Sequence, residues 1–285
     1  MHVRHPAVAG RFYPKDPTIL RANLKSYLAT DGTTNETKVD SPGCMVPHAG
    51  YIYSGHVAGA VFSKINIPSR CFVICPNHTG LGRPLSIMSE GAWETPLGAV
   101  AIASDLANEL KDSFSPLTED TKAHHAEHAI EVELPFLQAL RPDITFVPVA
   151  LGTSQFELLE ALGHALAKVI AAQSDPILIV ASSDMNHYES DAITRMKDAK
   201  AIEQILKLDA RSLFDVIKKE NISMCGFGAA VTMLAATKRL GAISAELVRY
   251  ATSADVSGDQ EMVVGYAGVV VTPEQKARFE VSNLL

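Results

Sequence analysis

The chain of 285 residues sets 25 Lys and Arg against 32 Asp and Glu, a formal net charge of −7, with 47% apolar and 20% charged residues. That is the make-up of a soluble globular protein with a sizeable core, and it argues against the clustered basic surface that nucleic-acid phosphates require. No stretch nears the roughly 18 consecutive apolar residues of a membrane span, and four cysteines without a CxxC pair fit a reduced, cytoplasmic setting.

In chain order, the periodicity predicts a helix over 16–29, then an exposed polar loop over 31–42. An apolar strand over 44–46 runs into PHAGYIYSG (47–55), where Pro47 and Gly50 shape a turn that presents His48. A helix over 55–65 leads to the strand CFVIC (71–75), which runs into PNHTGLG and places Asn77 and His78 directly after it. Residues 85–103, with Gly91 and Pro96-Leu97-Gly98, look like two strands joined by a turn. A helix over 127–140, a strand over 144–151 and a helix over 155–173 follow. The strand ILIVA (177–181) then runs into SSDMNHY, which carries Asp184 and His187. Helices over 192–220 and 227–240 and a strand over 262–271 complete the pattern. Strands alternating with helices predict an α/β fold: one layered domain over 1–285, its central sheet mixed or largely parallel and flanked by helices.

Three apolar runs thus end in turns bearing His48, His78 and the Asp184/His187 pair. A lone histidine after a strand is more often a hydrogen-bonded structural residue. Three such ends point to a shared site, because loops converge beyond the carboxyl ends of strands in open α/β sheets. Histidine suits either metal binding or proton transfer, and Asp184 is placed to orient His187 or to act as a separate acid–base group. Cys225 stands just before a helix whose N-terminus favours thiolate, so its pKa is expected to be lowered. Cys44, Cys71 and Cys75 read as small buried hydrophobes.

Two rivals stand beside this reading. His124, Glu127 and His128 form H-x-x-E-H, a zinc-peptidase signature if one helix carries both histidines. Alternatively the pocket is a non-catalytic binding module for a peptide, phosphate or protein partner. Tyr51, Tyr53 and Trp93 would then wall it, with helix N–H groups offered to an anion.

The motifs RHPAVAGRFYP (4–14), PHAGYIYSG, PNHTGLG, EHAIEVELPFLQ (127–138), SSDMNHY and SMCGFG (223–228), through to GYAG (265–268), together resemble the Memo family. Its microbial members are called AmmeMemoRadiSam system protein B. The resemblance covers nearly the whole chain. It implies a fold similar to class III extradiol (LigB-type) dioxygenases, with metal ligands on His48, His78 and Cys225 and with His187, Asp184 and His128 as catalytic neighbours. Tyr51, Tyr53 and Asn77 would line the pocket. A cysteine in place of the dioxygenase carboxylate is a softer ligand, so the expected cofactor is non-haem iron or copper, with zinc also admitted, and ring cleavage does not carry over. The microbial name implies a radical-SAM protein and an AMMECR1-like protein as partners.

Overall fold

The computed structural model describes residues 2–29 and 38–273, so residues 31–37 of the expected polar loop lie outside the described residues. The first strands are β1 (Val3–Arg4), β2 (Gly43–Val46), β3 (Arg70–Pro76), β4 (Leu85–Ile87), β5 (Ala92–Thr95) and β6 (Gly98–Ala101). There follow β7 (Thr118–Glu119), β8 (Thr145–Leu151), β9 (Ile177–Ser182), β10 (His187–Glu189), β11 (Ala242–Thr252) and β12 (Val263–Pro273). The helices are α1 (Pro17–Leu28), α2 (Tyr51–Lys64), α3 (Ser104–Ser113), α4 (Lys122–His125) and α5 (Leu134–Leu140). The later ones are α6 (Phe156–Ala171), α7 (Asp191–Leu206), α8 (Ala210–Lys219), α9 (Phe227–Arg239) and α10 (Ala254–Ser257).

The main sheet runs β10-β12-β2-β9-β3-β8-β4-β7, with β11 added on β12. Its centre, β2-β9-β3-β8, is parallel throughout, and β12 and β4 flank it antiparallel. The sheet is therefore mixed, as expected. All of β2 and β9 and nearly all of β3 and β8 are buried, which is why these strands read as unbroken apolar runs. Because the four central strands share one direction, their carboxyl ends open at one edge of the molecule. A smaller sheet, β1-β5-β6, holds the hairpin expected around Pro96-Leu97-Gly98, while β4 joins the main sheet. No helix among the described residues is long and apolar enough to cross a membrane.

Two predicted helices are shorter than expected. Of 127–140 only α5 is helical, since the Glu127 carboxylate takes the N–H groups of His128 and Ala129 and bends the chain into turns instead. The predicted helix over 192–220 divides into α7 and α8. Leu208 lies at φ +54°, and Asp209 starts a new helix by accepting the Ser212 N–H at 2.9 Å.

Candidate metal centre

His48, His78 and Asp184 each stand just beyond the carboxyl end of a central strand, β2, β3 and β9 respectively. Folding brings His48 and His78 together with His128, and one donor atom from each ring lies within 4.8 Å of the others. The rings of His78 and His128 stack at 4.8 Å with 21° between planes, and His48 meets both edge-on at 5.1 and 5.4 Å.

Hydrogen bonds fix the far side of two of these rings. His48 Nδ1 lies 2.8 Å from Ser182 Oγ, which itself reaches the Ala129 carbonyl at 2.7 Å. A carbonyl can only accept, so the single Ser182 hydrogen is committed there and His48 Nδ1 must donate. Its Nε2 keeps a lone pair, 3.2 Å from Cys225 Sγ. His78 Nδ1 lies 2.9 Å from Glu127 Oε1, which leaves the other nitrogen of that ring free in the same way. A carboxylate or hydroxyl bonded to the remote nitrogen is the usual support of a metal-binding imidazole.

Glu127 is fully buried and still ionised. Burial would push its pKa up, but the bond and charge of His78 and the N–H of Ala129 outweigh that and hold it below the ordinary carboxylate range. The same contact acts on His78, where burial pulls downward and Glu127 more than offsets it. Arg4 braces this loop. Its guanidinium donates to the carbonyls of Glu127 and His124 at 2.6 and 2.9 Å, pairs with Glu131 at 2.6 Å and lies over Trp93. Glu131 also accepts the N–H groups of Ala7 and Val8 and the hydroxyl of Tyr13. The 4–14 and 127–138 motifs are therefore two halves of one clamp.

The opposite side of the site is electrically different. Asp184 is buried and accepts the His48 N–H at 2.8 Å, but among the described residues no cation bonds it, and burial pushes its pKa up to about 7. His48 lies well below the usual imidazole range, first through burial and then through His128, His78 and His187.

A family model described as "Memo-like protein" matches residues 4–270. The chain belongs to the Memo family. It is 39% identical to a MEMO1 family protein of Methanopyrus kandleri over 277 residues, covering 94% of this chain and 98% of that one. Counterparts from Caldivirga maquilingensis and Thermotoga petrophila are 40% and 41% identical, each match covering 94% of this chain and 99% of the relative. A solved structure of an uncharacterized Escherichia coli K12 protein shares 15% identity at a TM-score of 0.49, over 79% of this chain and 99% of that one. That likeness is too loose to bear on chemistry.

Within this Memo-family site some expected residues stand apart. The Cys225 thiol touches His48 but does not belong to the three-histidine group. Its expected lowered pKa is reversed, because burial and then the Asp184 charge push it well up. Helix α9 begins only at Phe227, beyond Gly226. Any Cβ at Gly226 would overlap the Ser182 carbonyl and the Ser183 side chain, so glycine lets this turn lie against the end of β9. His187 donates Nδ1 toward the Ser223 carbonyl at 3.0 Å, and Asp184, expected to orient that ring, bonds the main chain of His48 instead.

Tyr51 is a correction to the expected pocket. It begins α2 and is buried among Tyr13, Tyr27 and Phe136, its hydroxyl donating to the Val132 carbonyl at 2.6 Å. Tyr53 packs beside Val57 and Tyr266. The Asn77 carbonyl oxygen accepts from Thr79 and Gly80, while its amide donates to Leu81, which makes it the builder of the His78 loop. Trp93 is wholly buried against Arg4 and Phe146 and walls no pocket. The peptidase pattern fails on geometry. α4 ends at His125, so His124 and His128 share no helix face, and His124 is sealed in the interior beside Trp93. No sequence pattern marks Ser182 or the Arg4–Glu131 brace, and the H-x-x-E-H pattern gives Glu127 only the role of a peptidase base. Its place immediately before His128 was the available signal.

Proposed function

We propose that the protein binds one redox-capable transition metal on His48, His78 and His128, with the Cys225 sulfur beside His48 as a further donor. The observation that carries this reading is the convergence of three imidazole donors at the strand ends, with the remote nitrogens of His48 and His78 already bonded to Ser182 and Glu127. Imidazole donors suit iron and copper, and a thiolate joining them shifts preference toward Cu(I). A bound metal would supply Lewis acidity or one-electron chemistry.

The chain's own groups then supply proton handling. His187 keeps an unprotonated Nε2 when Nδ1 donates to Ser223, and Asp184 titrates near neutrality at about 7, both suited to acid–base work. Together with the resemblance to class III extradiol dioxygenases, this favours a metal-dependent oxidoreductase over an adaptor that uses a relict cleft. In the microbial setting it would act beside a radical-SAM protein and an AMMECR1-like protein.

Substituting the donors one at a time tests the ligand set. Elemental analysis should find one equivalent of metal in the wild type and little in His48→Ala or His78→Ala. His128→Ala and Cys225→Ser then decide the remaining position. Metal content unchanged by all four substitutions would overturn the proposal.

A further inference from the structure

His187 owes its ring orientation to Ser223, and Ser223 is itself held by a residue that touches no ring. Asn186 is fully buried. Its side-chain oxygen accepts both the N–H and the hydroxyl of Ser223, each at 3.0 Å. Its amide nitrogen donates to Glu189 Oε2 at 2.7 Å and to Thr194 Oγ1 at 3.3 Å. The Ser223 N–H can only donate and the Glu189 carboxylate can only accept, so the amide has one permissible orientation. The Asn186 main chain is anchored too, its N–H on Asp198 at 2.9 Å and its carbonyl receiving the Gly265 N–H at 2.9 Å.

The consequence falls on the next residue. The His187 N–H donates to Ser223 Oγ at 2.8 Å, while Nδ1 faces the Ser223 carbonyl. A carbonyl offers no hydrogen, so Nδ1 carries the proton and Nε2 the lone pair. Ser223 lies in an exposed turn between α8 and α9, and the Asn186 amide is its anchor against the end of β9. We infer that Asn186 is a positioning residue: by pinning Ser223 it locks His187 in the Nδ1–H tautomer and leaves Nε2 as the basic nitrogen. The inference rests on the reading that His187 is the acid–base group of the site, and it places the control of that group in the neighbouring asparagine of SSDMNHY.

The test is the ring tautomer, read by long-range proton–nitrogen spectra of the full-length, metal-free protein labelled in its histidines. In the wild type His187 is expected as a single Nδ1–H species. Asn186→Leu removes the anchor and should convert it to a mixture containing the Nε2–H form, with the His48 tautomer unchanged. Asn186→Asp combined with Glu189→Gln keeps an oxygen toward Ser223 and lets the residue-189 amide donate to the second one, and should restore the wild-type pattern. If Asn186→Leu does not fold, Asn186→Ala is read in the same way. A wild-type His187 protonated on Nε2, or a folded Leu or Ala variant with an unaltered tautomer, overturns the inference. Metal content of the same variants reports separately on the metal reading, so the two can fail independently.

Discussion

Glu127 and Glu133 lie in one short segment, both with essentially no exposed surface, yet their pKa values move in opposite directions. Glu127 receives N–H groups from His78, His128 and Ala129 and a ring nitrogen of His78, and it stays ionised below the usual range. Glu133 has one long contact, Ser182 Oγ at 3.3 Å, an oxygen with no partner, and a pKa driven well up by burial and then by Asp184. Burial is common to both, so the count of donors decides which way each pKa moves. The site is divided in the same manner. Its His78/His128 side is braced by fixed charges, while its His48/Cys225/Asp184 side is made of groups that burial keeps neutral or near their titration point.

The braced side should show the largest effects. Arg4→Ala leaves Glu131 charged and buried without its partner, and urea unfolding should register a loss of about 3–5 kcal/mol. A loss below about 1 kcal/mol would mean the clamp is decorative. Glu127→Gln turns an amide N–H₂ toward backbone donors and should destabilise by about 1–3 kcal/mol. It should also weaken metal binding roughly 10–100-fold in a competition titration, because His78 loses its oriented proton acceptor.

The softer side should appear in the pH dependence. Asp184 and Asp198 both have pKa values raised to about 7, each chiefly by burial. A carboxyl raised on folding stabilises fully below its unfolded pKa, and that stability is lost as pH climbs toward the folded value. Each should therefore contribute a fall of up to about 1.4 kcal/mol per pH unit between roughly pH 4 and 7. Glu127 runs the other way, its contribution lost as pH falls through the acidic range. Asp198→Asn, which keeps an acceptor for the Asn186 N–H, should flatten the decline by one group's share, and an unchanged slope would remove Asp198 from the account. Glu133→Gln should be the mildest, under about 1 kcal/mol, since it removes one long contact to Ser182 from a carboxyl whose pKa burial already drives up. A cost as large as that of Glu127→Gln would erase the contrast between the two acids.

The central strands and the placing of His48, His78 and Asp184 were legible because a sheet covered on both faces writes continuous apolar runs, and the residue after each run then stands out. The start of α2 was not. Tyr51 was expected to line the pocket, whereas its ring turns into the core at the start of α2. The 127–133 stretch kept a helical apolar period, but the Glu127 carboxylate captured the N–H groups a helix would have used. The supports of the site were hidden for a different reason. Arg4 with Glu131 and Ser182 with His48 act across more than a hundred residues of chain, and no local pattern encodes such pairs.

The most direct test of the central claim is a calorimetric titration of the metal-stripped, full-length protein with Fe(II) and, separately, Cu(I) under anaerobic conditions, against a His48→Ala/His78→Ala double variant. Saturation at one metal per chain in the wild type, absent from the double variant, is the predicted result. Binding no stronger than that of the double variant for both metals would contradict it.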